Sequence, residues 1–420
     1  MKMKAPRGTK DVLPKDVYKW HYLEDTFRET CKNFGYNEIR TPIFEHTELF
    51  KRGVGETTDI VQKEMYSFED NGGRDITLKP EGTAPVVRAF IEHKLYADAQ
   101  PTKLYYATPC FRYERPQAGR LRAFHQFGIE VFGTTNPQID AEIIGVAMDF
   151  FSRLHIKNLE LRINSVGCKK CRSDYNEVLK KYLSTKVEKL CNTCNDRYER
   201  NPMRIIDCKN EKCKEEVSDI PLMIDHLCEE CSNDFNQLKE SLNLMDIGFI
   251  VDPKIVRGLD YYTKTAFEII SNEIGSQSTV CGGGRYDGLI EQLGGPSMPG
   301  IGFGMGIERL LLTLENNNIE IPKPDKLDVF IVSLGEKSNR ESVKILKSIR
   351  EENLSADKDY LERSMKAQFK YANKRNARFC IVIGENEIEK GVVTLKNMET
   401  GDQTEISIDN IGQEIKNICK

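Results

Sequence analysis

Residues 103–133 read KLYYATPCFRYERPQAGRLRAFHQFGIEVFG, and the way this stretch pairs decides the fold. Two strand-like runs flank a polar loop, Glu114 to Arg122, that carries Pro116 and Gly119. If the runs form a hairpin, residues two apart share a face. Thr108, Cys110 and Arg112 then align in the first run, and Phe124, Gln126, Gly128 and Glu130 in the second. The opposite face of the second run is Phe127, Ile129 and Val131, all apolar. An Arg, a Gln and a Glu gathered around a glycine predict a pocket floor for a small polar molecule, with room above Gly128.

The segments on either side extend the pattern. From Tyr18, the apolar Leu23, Phe27 and Cys31 recur at helical spacing until Gly35. YNEIRTPIFEHTELF, residues 36–50, is extended around Pro42 and ends in a helix start. RDITLKPEGTAPVVRAF, residues 74–90, reads as strand, turn and helix, with Thr83 at the N-cap and Pro85 just inside. Such a helix start offers N–H donors to a charged ligand. A helix over Asn136–Leu154 and a strand over Leu159–Asn164 follow. VRGLDYYTKTAFEII, residues 256–270, sets Arg257, Asp260, Tyr261 and Tyr262 in a tight element before a strand. CGGGRYDGLIEQLGGPSMPGIGFGMG, residues 281–306, is glycine-rich but is neither a P-loop nor a dinucleotide fingerprint. Gly302, Gly304 and Gly306 alternate on one strand face, which predicts a slot for a flat ring. The next helix leaves Arg309 in its first turn, where a cation is unfavourable unless a bound anion offsets it.

FRYER and FHQFGIEVFG resemble motif 2 of the class II aminoacyl-tRNA synthetases and, within that class, the histidyl-tRNA synthetases. YNEIRTPIFEHTELF is similar to motif 1, and GIGFGMGIERLLL to motif 3. RGLDYYT and CGGGRYDGL are similar to the two histidine-specific signatures. The resemblance runs nearly end to end. It implies an α/β (α+β) architecture: a class II catalytic domain over 1–325 on an antiparallel sheet with helices, interrupted by a Cys-rich insertion near 168–240, then an α/β anticodon-binding domain over 326–420. It implies ligation of L-histidine to histidine tRNA, through a histidyl-adenylate made from ATP with Mg²⁺. The resemblance places Arg112 and Arg257 on the α-phosphate, with Arg112 also meeting the reacting carboxylate, and Arg309 on the β/γ end. Glu114, Gly304 and Gly306 join Arg112 and Arg309 around ATP. Glu81, Thr83, Gln126 and Glu130 read the substrate histidine, with Tyr261 and Tyr262 along the ring pocket. Motif 1 implies a homodimer.

Of 13 cysteines, eight fall between Cys168 and Cys231. Cys168-x2-Cys171 and Cys191-x2-Cys194, 19 residues apart, have the spacing of a four-thiolate structural zinc site. Cys208, Cys213, Cys228 and Cys231 could form a second quartet; buried free thiols or an ancestral site now incomplete are the alternatives. Any such metal would be structural, with sulfur filling every position.

After Pro322 and Pro324 the pattern changes to alternating strands and helices. On a helix read over Tyr360–Arg375, Arg363, Lys366, Lys370 and Lys374 fall on one face. That is either a solvated stripe or, by resemblance to the anticodon-binding domain, a surface for tRNA phosphates. The 420 residues carry a net charge of -4, so RNA would have to meet local basic surfaces. No run is apolar enough for a membrane span, and the N-terminus lacks the apolar core of a signal peptide, which predicts a cytoplasmic protein. Two other readings remain: a non-catalytic paralogue of this synthetase that regulates histidine biosynthesis, and a zinc-ribbon RNA-binding protein. The first would lack catalytic arginines and the C-terminal domain. The second leaves the hairpin pocket unexplained.

Overall fold

The computed structural model describes residues 3–56, 58–272 and 279–419. The chain forms two compact units, Met1–Pro322 and Lys323–Lys420.

The first unit is built on an eight-stranded sheet. Its strands in chain order are β1 (Asn37–Glu38), β2 (Thr102–Phe111), β3 (Ala123–Phe132), β4 (Leu159–Ser165), β5 (Ile250–Val251), β6 (Thr263–Ser271), β7 (Thr279–Arg285) and β8 (Gly300–Gly306). Across the sheet they run β1-β2-β3-β8-β7-β6-β4-β5. The two edge pairs, β1 with β2 and β4 with β5, are parallel, and every other pair is antiparallel.

The alternation in β3 decides what lies on each face. Phe127, Ile129 and Val131 are buried on one side. There the helices Val17–Asn33 and Gln138–Arg153 bring Phe27 and Phe150 against Phe127, with ring centroids 4.4 and 5.9 Å away. Burying a phenylalanine of this kind contributes about 1.5–3 kcal/mol, so this side sets the register. A slip of one residue would drive Gln126 and Glu130 into the core. The opposite face therefore carries the polar set. Register places Gly302, Gly304 and Gly306 of β8 opposite Glu130, Gly128 and Gln126 of β3.

A three-stranded sheet (Phe44–His46, Asp75–Leu78, Tyr66–Glu69) precedes the helix Thr83–Glu92. Between β4 and β5 lies the insertion. Among the described residues it has no strand, only the helices Lys169–Leu183, Asn192–Arg200, Glu211–Glu216 and Glu229–Leu244 and short 3-10 turns.

The second unit is a five-stranded sheet ordered Ala356–Lys358, Leu327–Ser333, Ala377–Ile383, Val392–Asn397, Gln403–Ser407. Its first three strands are parallel and the last two pair antiparallel. The helix expected over Tyr360–Arg375 is shorter, Met365–Lys374. Asp359 accepts the backbone N–H groups of Leu361 and Arg363, at 3.1 and 2.9 Å, and this turn holds the chain out of helix until Ser364. No helix among the described residues is long and apolar enough to cross a membrane.

Candidate active site

Arg112, Arg257 and Arg309 line one cavity of about 260 Å³, together with Glu81, Thr83, Glu114, Gln126, Tyr261, Tyr262, Gly304 and Gly306. Each arrives on a different element. Arg112 follows β2, and its Nε donates to the Pro80 carbonyl at 2.8 Å. Arg257 precedes β6, stacks over the Tyr262 ring at 5.3 Å and pairs with Glu268. Gly282 makes room for it: a Cβ there would lie 2.5 Å from Arg257 Nη2. Arg309 stands in the first turn of the helix Ile307–Asn316 and donates to the Thr279 carbonyl at 2.8 Å. The Thr279 hydroxyl in turn donates to Glu268 at 3.1 Å, so Arg257 and Arg309 are held through one strand start.

A fourth guanidinium, Arg120, also lines the cavity and pairs with Glu114 at 2.6 Å. Burial, and the nearby charges of Arg120 and Arg112, push the Arg309 pKa below its ordinary value. Crowded like charges of this kind are relieved when an anion enters.

The same cavity is also lined by carboxylates and hydroxyls. Glu81 accepts the Ala84 N–H at 2.8 Å and the Tyr261 hydroxyl at 3.0 Å. It therefore caps the helix Thr83–Glu92 itself. Thr83, expected as the N-cap, is the first helical residue after Gly82, and its hydroxyl turns to Glu130 at 2.7 Å. Gln126 accepts the Gly82 N–H at 3.0 Å. Glu130 also accepts from Tyr106 at 3.0 Å and from Tyr286. Its side chain has no exposed surface and forms the layer beneath the cavity lining. Burial pushes its carboxyl up to about 8, against the lowering effect of the three hydroxyl donors. Burial likewise raises Glu81.

Two expectations about empty space are corrected. The room above Gly128 is filled by the Tyr106 ring: a Cβ on Gly128 or Gly82 would lie 2.2 Å from it. The glycine face of β8 is not an open slot along its length. Glu130 lies across Gly302 and Gln126 across Gly304, where a Cβ would come within 1.9 and 2.0 Å. Only Gly304 and Gly306 reach the cavity wall. The glycines exist so that polar side chains of β3 can lie flat on the sheet. Sequence reading passed over Tyr106, Tyr286 and Arg120. Tyr106 continues the alternation from Arg112 through Thr108 and could have been found by counting one step further. Tyr286 lies within CGGGRYDGL and Arg120 within the hairpin loop, but nothing in their spacing marks either one.

The histidyl-tRNA synthetase profile matches residues 8–310, and the profile described as anticodon binding domain matches residues 328–418. A relative from Clostridioides difficile (strain 630), a histidine–tRNA ligase, is 63% identical over 417 residues and covers 99% of both chains. The chain belongs to the histidyl-tRNA synthetase family. Its activity is that of a histidine–tRNA ligase, an aminoacyl-tRNA ligase. The solved apo structure of the Staphylococcus aureus histidyl-tRNA synthetase, 43% identical, matches 99% of this chain and 100% of its own with a TM-score of 0.85. A Bacillus halodurans C structure, described as an ATP phosphoribosyltransferase regulatory subunit/histidyl-tRNA synthetase, is 21% identical over 91% of this chain and 99% of its own, with a TM-score of 0.65, and shares the fold alone. The regulatory reading is set aside on the identity to ligases and the matched C-terminal domain.

The cysteines of this synthetase pair differently from the expected Cys168, Cys171, Cys191 and Cys194. One quartet is Cys168, Cys171, Cys228 and Cys231, and the other is Cys191, Cys194, Cys208 and Cys213. The reason is helix length. The helix Lys169–Leu183 starts at this pair and carries the chain about 18 Å beyond Cys171 before Cys191 is reached. The partner pair instead arrives at the start of the helix Glu229–Leu244. Within each quartet the sulfurs lie within 4.8 Å of one another, with Cys168 to Cys171 at 3.6 Å, Cys168 to Cys228 at 4.0 Å and Cys191 to Cys208 at 3.9 Å. A tetrahedron with bonds of about 2.3 Å has edges of about 3.8 Å; a disulfide needs about 2.05 Å. Both quartets could hold a metal ion. Burial raises the Cys168 and Cys191 thiols, but N–H donors and neighbouring thiols outweigh it and bring each down to about 7.

In the second unit Lys366, Lys370 and Lys374 are exposed on the helix Met365–Lys374. Arg363 is not part of that stripe. It precedes the helix, pairs with Asp359 at 2.5 Å and lies over the Tyr371 ring at 4.5 Å.

Proposed function

We propose that this ligase activates histidine by placing charges rather than by supplying a general base. What carries this reading is that one cavity is lined both by four guanidinium groups and by a set of carboxylate, amide and hydroxyl side chains. The guanidinium groups suit ATP: Arg112 and Arg257 on the α-phosphate, Arg309 and Arg120 toward the β/γ end, with Glu114, Gly304 and Gly306 along the nucleotide. Mg²⁺ enters with ATP as part of the substrate and neutralises phosphate charge. The other set suits an amino acid with a cationic amino group and a two-nitrogen ring: Glu81, Thr83 and Gln126 at the amino group, Tyr261 and Tyr262 at the imidazole, with Glu130 beneath them holding the Thr83 hydroxyl.

The histidine carboxylate is already nucleophilic. Its oxygen bonds to the α-phosphorus while the bond to the bridging oxygen of pyrophosphate breaks. Negative charge shifts between phosphate oxygens that fixed arginines already face, which is where electrostatic preorganisation acts. Planar guanidinium groups meet oxyanions two bonds at a time and stay charged. In the second step the 3′-hydroxyl of the tRNA ribose attacks the acyl carbon and AMP leaves. A pocket that pairs both ring nitrogens rejects side chains that leave its buried groups unpaired. ATP–pyrophosphate exchange that depends on histidine tests the reading; exchange with other amino acids, or none, would refute it.

The partners and metals follow as further parts of the proposal. Ile43, Phe44 and Phe68 are exposed apolar residues around the motif 1 stretch, which supports a homodimer; a monomer by light scattering would overturn it. The exposed Lys366, Lys370 and Lys374 suit tRNA phosphates. The metal of the two cysteine quartets is structural Zn²⁺, a soft-ligand tetrahedral ion with no open position for catalysis.

A further inference from the structure

We propose that the cysteine-rich insertion is a clamp on the loop 257–262 of the histidine site, in which Arg172 and Asn201 are positioning residues and the two cysteine quartets hold them in place. The metal half of this rests on the zinc reading above; the two polar bonds stand on geometry alone.

Arg172 follows Cys171 directly, in the first turn of the helix Lys169–Leu183. Its Nε donates to the Val166 carbonyl at 3.1 Å, and its Nη2 donates to the carbonyl of Tyr262. Asn201 ends the helix Asn192–Arg200, which carries Cys194 of the other quartet. Its Nδ2 donates to Asp260 Oδ1 at 3.0 Å. Each quartet thus joins two helices near their starts, and one helix of each pair sends a donor to the loop.

The space behind the loop is not packed solid. A cavity of about 220 Å³ lies there, lined among others by Arg172, Asn201, Arg204, Asp260 and Tyr262. Where packed atoms are missing, directional bonds decide position. On its front the loop brings the Tyr261 hydroxyl to Glu81 and Arg257 to Glu268. Arg112 and Arg309 are held on other elements. Loosening the clamp therefore disturbs the histidine end first and leaves most ATP contacts in place.

The test uses the full-length protein in histidine-dependent pyrophosphate exchange, with histidine and ATP varied separately. Arg172→Ala and Asn201→Ala should each raise KM for histidine about three- to tenfold, the range of one lost hydrogen bond, with KM for ATP changed less than about twofold. Arg172→Lys, which keeps one donor, should recover part of the loss. Metal content is measured first, and removal of the metal by a chelator should reproduce the rise in histidine KM. Unchanged histidine KM in both folded alanine variants would overturn the clamp. If Arg172→Ala does not fold, Asn201→Ala decides alone, since Asn201 is only partly buried and loses only its amide. A chain that holds metal but keeps its histidine KM when stripped overturns the coupling and leaves the zinc reading standing. A chain isolated without metal whose alanine variants still lose histidine affinity refutes zinc and supports the two positioning residues.

Discussion

The sheet-borne pocket and the cysteine-rich insertion solve the same problem by different physics. Each must hold polar or reactive side chains within fractions of an ångström. In the pocket, order comes from apolar burial on the far face of β3 and from aromatic rings laid on glycines. In the insertion no described strand exists, and a third or so of the buried apolar set is cysteine. A segment of this size without a sheet gains from a staple beyond its apolar contacts. The pocket's order therefore owes nothing to a metal, whereas the insertion rests on its sulfurs as well as on Tyr175, Leu179 and Leu183.

The largest effect that would break this contrast is in the insertion. Cys171→Ser removes a ligand from a site type whose zinc is worth about 10–16 kcal/mol in isolated modules. Metal per chain should fall from two to one, and limited proteolysis should cut between residues 168 and 231. A variant that keeps two metals and the native cleavage pattern would erase the distinction. In the pocket, by contrast, a large chemical effect should come without a folding effect. Arg257→Lys should lower adenylate formation by at least about 10²–10³-fold with an unchanged melting temperature. Pyrophosphate exchange near wild type would remove Arg257 from the reaction.

Packing beneath the pocket gives a smaller effect. In Gly128→Ala the new Cβ would lie 2.2 Å from the Tyr106 ring, and overpacking of this kind costs about 1–3 kcal/mol. The melting temperature should fall; an unshifted melt would mean the ring has room to move. A further effect, read from pH rather than from a single melt, is the titration of Glu130. Its folded carboxyl is raised from 4.5 to about 8. A group that holds its proton more tightly when folded adds stability below its unfolded pKa and loses it as pH rises through the folded one. Wild-type stability should therefore drop relative to Glu130→Gln between about pH 4.5 and 8. Parallel melting curves across that window would show that the carboxyl stays ionised.

Much of the site could be read before any coordinates. Alternation in β3 separates Phe127, Ile129 and Val131 from Gln126 and Glu130, because a pleated strand leaves no other choice once one face is buried. Runs such as RGLDYYT and GIGFGMGIERLLL point to Arg257 and Arg309 by resemblance, though nothing in their spacing says that they meet. Spacing misled where an element's length intervened. Cys191 looks like the partner of Cys171 along the chain, yet the helix Lys169–Leu183 carries the chain away before Cys191 is reached. Arg363 looks helical until Asp359 captures the backbone before it.

Local chemistry in this chain therefore determined which residues are strands, which faces are polar, and which arginines and cysteines are available. Tertiary structure alone decided which of them converge. Tyr106 fills the space over Gly128, Glu130 sinks beneath the cavity, and the cysteines sort into nested rather than consecutive quartets. The physical reason is that period and propensity act over a few residues, whereas volume and coordination are settled between segments that only folding brings together.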